Sequence, residues 1–264
     1  MSDVHSQNGE DGVIREILFR LGRLDSRESH GWCVEFGAWD GVHLSNTFNL
    51  IENHGFHAVY IEGDEERFQQ LVATASTCTR ILPLNEFVDR LERNGCKRLD
   101  DLLRSTPIPL DFDVLSIDID SNDLDIWESV ETYSPKVVVI EINSSIWPGI
   151  FWRHGYLPAA NEFLNGNSFS STLHVGRAKG YELVCHTGNC IFVRRDLLPR
   201  IGLEQRFISD PALLFRPDWL RPDSLSDGLT RLAPRAARTE ALRWAKTLGI
   251  GLGLRSVFRR RPLE

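Results

Sequence analysis

Apolar positions in this chain come in short runs that alternate with helical spacings. Cys33 to Phe36 is a buried-type run carrying an acid, Glu35, and Gly37, Asp40 and Gly41 follow within five residues, which predicts a strand running into a tight turn. Ahead of it Val13, Ile14, Ile17, Leu18 and Leu21 recur at helical spacing. Ser6 or Asn8 is the expected cap of that helix, and Glu10 and Asp11 suit its positive end. Beyond the turn the pattern predicts a helix from His43 to Leu50, a strand over Ala58–Glu62, a helix over Glu65–Ala75 and a strand over Arg80–Leu84. A short helix over Leu99–Leu103 precedes two further strands, one from Phe112 toward Asp123 and one over Lys136–Asn143. A helix over Ser170–Lys179 ends at Gly180, and Tyr181–Val184 with Cys190–Val193 reads as a hairpin. Strands alternating with helices predict a mostly parallel sheet covered on both faces, and the hairpin makes it seven-stranded with one antiparallel strand.

The carboxyl ends of the predicted strands carry most of the candidate chemistry. Gly37 permits positive φ and leaves no Cβ between backbone and ligand, so a cofactor could lie against this turn. A carboxylate there, Glu35 or Asp40, would repel a pyrophosphate and attract an ammonium, which favours S-adenosylmethionine over a dinucleotide; E-x-G-x-x-x-G, ending at Gly41, also differs from G-x-G-x-x-G. Glu62 ends the second strand about twenty residues on, where an acid can accept both ribose hydroxyls. Asp64 either shares that task or caps the next helix, and Asn85 ends the third strand near the expected adenine position or sits in a solvated turn. Polar residues before the first strand outnumber what one cap needs, so Gln7, Glu10 and Asp11 are cofactor candidates as well.

Asp118 and Asp120 alternate to one side of their strand, and Glu141 and Asn143 repeat the arrangement on the next. Carboxylates gathered at one edge repel unless a partner intervenes. Three readings stand: a hard cation such as Mg²⁺ or Mn²⁺ held by Asp118, Asp120, Glu141 and Asn143, hydrogen bonding to cofactor and substrate, or helix capping. From 144 to 169 Trp147, Phe151, Trp152, His154 and Tyr156 lie together with prolines and no period, as in a lid or substrate wall, or simply as packing. His154 is a candidate proton acceptor there.

Composition narrows the setting. The 264 residues carry a net charge of −7, which argues against a general nucleic-acid binder. Five cysteines without C-x-x-C spacing suggest neither zinc nor a disulfide framework, and reduced thiols in a cytoplasm fit them. No apolar leader or spanning run is read, so neither export nor a membrane span is expected. From Arg221 onward ten Lys/Arg face four Asp/Glu, and Trp244, Leu248, Leu252 and Phe258 are interspersed. This basic segment is either a solvated tail or a peripheral contact with an anionic membrane, such as the inner membrane face. A domain over 1–200 with a basic extension over 201–264 is the expected division.

Taken together, Ser6-Gln7-Asn8-Gly9-Glu10-Asp11-Gly12, Val34-Glu35-Phe36-Gly37-Ala38-Trp39-Asp40-Gly41, Tyr60-Ile61-Glu62-Gly63-Asp64, Leu115-Ser116-Ile117-Asp118-Ile119-Asp120-Ser121-Asn122-Asp123 and Val139-Ile140-Glu141-Ile142-Asn143 resemble the FkbM-type branch of class I S-adenosylmethionine-dependent methyltransferases. The resemblance covers about residues 5 to 200. It implies a Rossmann-like class I methyltransferase fold, S-adenosylmethionine as donor, and O-methylation of a sugar, glycan or other small hydroxylated acceptor. Ser121 and Ile142 stand where the family has glycine and often an aromatic residue. The mechanism expected is in-line transfer to a hydroxyl oxygen, with the proton taken through a metal on the acidic edge or by Asp120 or His154. A nicotinamide-dependent oxidoreductase and a non-catalytic module of glycan assembly are the alternatives; a homo-oligomer is compatible with either.

Overall fold

The structure is a computed structural model that describes residues 4–24, 31–92, 95–119, 122–154 and 166–216. Five strands run parallel: β1 (Trp32–Phe36), β2 (His57–Glu62), β3 (Ile81–Asn85), β6 (Val114–Ile117) and β7 (Val137–Glu141). An antiparallel hairpin, β8 (Tyr181–His186) and β9 (Asn189–Arg194), completes the sheet, in the order β3-β2-β1-β6-β7-β9-β8. This is the seven-stranded doubly wound sheet with one antiparallel strand that the alternation and the hairpin predict, and the order that the family resemblance implies. The short β4 (Phe87–Val88) and β5 (Cys96–Lys97), which no periodicity announces, pair beside it.

Alternation along the strands sends side chains to two cores. Val34, Phe36, Val59, Ile61, Ile117 and Ile140 face α4 (Leu99–Arg104), α5 (Asp123–Ser129) and α6 (Phe169–Ala178), around the buried ring of Trp127. Cys33, Ala58, Tyr60, Val114 and Val139 face α1 (Glu10–Arg20), α2 (Phe48–His54), α3 (Glu65–Thr77) and α7 (Leu198–Ile201). The β-branched run of β7 is buried on both faces except at Glu141, as a central parallel strand requires.

Two local expectations are corrected. The helix expected over His43–Leu50 begins only at Phe48, because Leu44 takes a left-handed φ of 57° that no α-helix accommodates. At α1 the residue in the N-cap position is Gly9, left-handed with φ 82°, and not Asn8, while the Ser6 hydroxyl accepts the first-turn Asp11 N–H at 3.2 Å. Packing also continues past residue 200: α8 (Gln205–Ser209) and a 3-10 turn over Pro211–Leu214 lead to Phe215, which is fully buried against Trp147, Phe169 and His186. The basic segment from Arg221 onward and Tyr156 lie outside the described residues. Among the described residues no helix is long and apolar enough to cross a membrane.

Candidate functional site

Register decides what meets at the carboxyl edge. Ile61, Phe36, Ile117 and Ile140 form one row across β2, β1, β6 and β7, so Glu62, Gly37, Asp118 and Glu141 follow together one position beyond it. A cavity of about 780 Å³ opens over these four residues, in the crevice where doubly wound sheets bind ligands. Gln7 and His154 line it too, and Trp39, Leu44 and Phe87 reach it while 38%, 44% and 60% exposed.

Glu62 is 6% exposed, and each oxygen already accepts one backbone N–H: Oε2 from Trp39 and Oε1 from Asp64, both at 2.9 Å. A carboxylate has about four lone-pair directions, so both oxygens keep capacity toward the cavity. Asp64 lines the cavity and caps α3 by accepting the Arg67 N–H. The Arg67 guanidinium lies 4.7 Å from the centre of the Trp39 ring, a cation–π contact that fixes that ring at the cleft. Phe87 lies against Gly63, where any Cβ would come within 2.3 Å of the phenyl ring.

Other expected ligand residues have partners or packing within the protein. The Glu35 carboxylate, 5% exposed, accepts from the hydroxyls of Ser45 (2.9 Å) and Thr47 (2.5 Å) and from the backbone N–H groups of Asn46 and Thr47 (3.2 Å each). It lines the cavity and at the same time holds the loop after the glycine turn; burial raises its pKa against those hydrogen bonds. The same burial puts the neighbouring Tyr60 hydroxyl well above its ordinary value. Gly37 is required by the fold, since a Cβ would sit 1.9 Å from the Asp118 carbonyl oxygen. Gly41 packs against Leu71 and Tyr60, and Asp40 folds back to accept the Val42 and His43 N–H groups. Glu10 and Asp11 are buried and bonded to the segment before them. Asn85 donates its amide to the Glu62 carbonyl at 3.0 Å and does not line the cavity.

The acidic edge is only partly as expected. Asp118 and Glu141 both line the cavity, but β6 ends at Ile117 and β7 at Glu141, so alternation no longer governs the residues beyond. Asn143 turns its amide oxygen to Ser145, accepting from both its N–H and its hydroxyl. Asp120 lies outside the described residues. Among the described residues no group of three His, Cys, Asp or Glu could hold a metal.

Sequence reasoning missed Trp39, Arg67, Phe87, Asp89 and Asn122 as lining residues. Phe87 and Asp89 follow the third strand directly, and their place in the chain was the available signal. Among the described lining residues, and besides Glu35, Glu62, Asp64, Glu86, Asp89, Asp118 and Glu141 set six carboxylates against one arginine, Arg67. Lys97 pairs with Glu86 at the margin.

No family model and no curated protein matches the chain. Solved structures with a similar course include the N-terminal domain of EvdMO1 in the presence of SAH and D-fucose, 12% identical over 72% of this chain and 83% of that one, with a TM-score of 0.44. Another is a SAM-dependent methyltransferase from Aquifex aeolicus, at 11% identity, 70% and 87% coverage and a TM-score of 0.40. A third is SAM-bound CalS10, an amino pentose methyltransferase from Micromonospora echinaspora, at 13% identity, 74% and 99% coverage and a TM-score of 0.42. Likenesses this loose carry no argument about ligand or acceptor.

Proposed function

We propose that the chain is an S-adenosylmethionine-dependent methyltransferase that methylates a hydroxyl of a sugar, glycan or other small polyhydroxylated acceptor. The observation that carries the reading is the charge of the cleft, where among the described residues six carboxylates besides Glu35 face Arg67 at the carboxyl edge of the sheet. A dinucleotide would bring a pyrophosphate into that field. S-adenosylmethionine brings a sulfonium and an ammonium, and its ribose hydroxyls suit the remaining lone pairs of Glu62.

In the proposed reaction the acceptor oxygen stands about 3 Å from the methyl carbon, opposite the sulfur. The O–H bond breaks as the C–O bond forms, the S–C bond breaks with its electron pair on sulfur, and the proton passes to a carboxylate. Asp118 and Glu141, at the ends of adjacent strands, are the described carboxylates assigned that task, with His154, which also lines the cavity, as the other acceptor. The described oxygens do not assemble the expected cation site, since Asn143 turns its amide oxygen to Ser145.

Calorimetry with S-adenosylhomocysteine and NADH tests the donor: the first should bind and the second should not. Transfer of labelled methyl to a panel of neutral glycosides tests the acceptor, and turnover should persist in excess EDTA. Loss of turnover in EDTA with recovery in Mg²⁺ would restore the metal. The basic segment from Arg221 onward is assigned in the same proposal to anionic lipid. Removing residues 243–264 should then abolish co-sedimentation with anionic liposomes and leave homocysteine-product binding unchanged.

A further inference from the structure

The segment ahead of α1 reaches the cleft through Gln7, in keeping with its excess of polar residues over what one cap needs. Asp11, 1% exposed, accepts from the N–H groups of Val4 and His5, both at 3.0 Å, and from the Ser6 hydroxyl at 3.1 Å. Glu10, fully buried, accepts from the Asn8 N–H at 2.8 Å and from the Thr187 hydroxyl at 2.7 Å. Gln7 is thus bracketed by two anchored neighbours, while its own side chain is exposed and lines the cavity.

Its place in the row matters. Thr187 belongs to the β8–β9 turn, and β9 pairs with β7 at Asn189 and Glu141. The segment is therefore tethered at the β7–β9 side of the sheet, whereas Glu62, suited to ribose hydroxyls, stands on the β3 side. A ligand that lays its ribose on Glu62 and runs along the edge meets Gln7 with its other end. Among six carboxylates, a ligand carboxylate finds its hydrogen bonds at neutral N–H donors, and the Gln7 amide offers two.

We infer that Gln7 donates to the aminoacyl carboxylate of the methyl donor, and that Glu10 and Asp11 are positioning residues that hold it there. The inference rests on the methyltransferase reading and fails separately from it. The test is calorimetry with S-adenosylhomocysteine and with 5′-methylthioadenosine, which keeps the nucleoside and lacks the aminoacyl group. Gln7→Ala should weaken S-adenosylhomocysteine about tenfold, the loss of one hydrogen bond to a charged group, and leave 5′-methylthioadenosine within about twofold. Thr187→Val, which cuts the second tether of Glu10, should produce the same selectivity at smaller size. Unchanged S-adenosylhomocysteine binding, or equal losses on both ligands, overturns the assignment of Gln7. Loss of neither selectivity nor affinity in Thr187→Val overturns the positioning role. Wild type that binds neither ligand removes the donor reading and this inference with it.

Discussion

Gly37 and Leu44 both take left-handed backbone, with opposite consequences for substitution. At Gly37 (φ 76°) a methyl group meets the Asp118 carbonyl oxygen, so Gly37→Ala combines backbone strain with a clash that no rotamer relieves. A loss of about 2 kcal/mol or more is expected, read as a lower urea midpoint. Leu44 (φ 57°) is 44% exposed, so its side chain contributes little burial against a backbone cost of about 1 kcal/mol. Leu44→Asn should therefore hold or raise the thermal midpoint, since asparagine tolerates this region; a clear fall would mean that leucine packing outweighs the strain. The sequence marks Gly37 as special but not why, because the close approach comes from a strand some eighty residues away.

At the scale of elements, the strands of the seven-stranded sheet were legible because β-branched and apolar runs bounded by turns leave little choice of state. The hairpin and the acid ending β2 were legible for the same reason. What failed was side-chain direction beyond the strand ends, where Asn143 turns to Ser145 and alternation stops. Glu35 lines the cavity, but its hydrogen bonds were not legible. Its partners arrive ten to twelve residues later in Ser45, Asn46 and Thr47, a polar triplet that closes over a buried acid and delays α2. Replacing Glu35 by Gln removes acceptor capacity where four donors converge. It should cost about 1–3 kcal/mol of stability while leaving S-adenosylhomocysteine affinity unchanged. A reversed outcome, intact stability with weakened binding, would return Glu35 to the ligand.

At the scale of the whole molecule, the chain after β9 folds back and closes the core through His186, a coupling that no local pattern carries. Its ring stacks on Phe215 at 4.8 Å, and Nδ1 accepts the Arg216 N–H at 3.0 Å. Nε2 therefore carries the proton and donates to Ser144 Oγ at 3.0 Å, which in turn donates to the Gly188 carbonyl. Burial first, and the charge of Arg216 second, lower the pKa of this histidine from 6.5 to about 3. Below about pH 6.5 the unfolded chain takes up a proton that the folded chain refuses, so stability is complete above 6.5 and falls as pH drops toward 3. Between pH 7 and pH 5 this one residue should remove about 2 kcal/mol, at 1.36 kcal/mol for each pH unit below 6.5. His186→Gln, whose amide can still donate to Ser144 and accept from Arg216, should be less stable at pH 7 for want of the stacked ring. Its stability should fall less between pH 7 and pH 5. Urea unfolding of both proteins at the two pH values measures the difference, and equal falls would place the acid sensitivity outside His186.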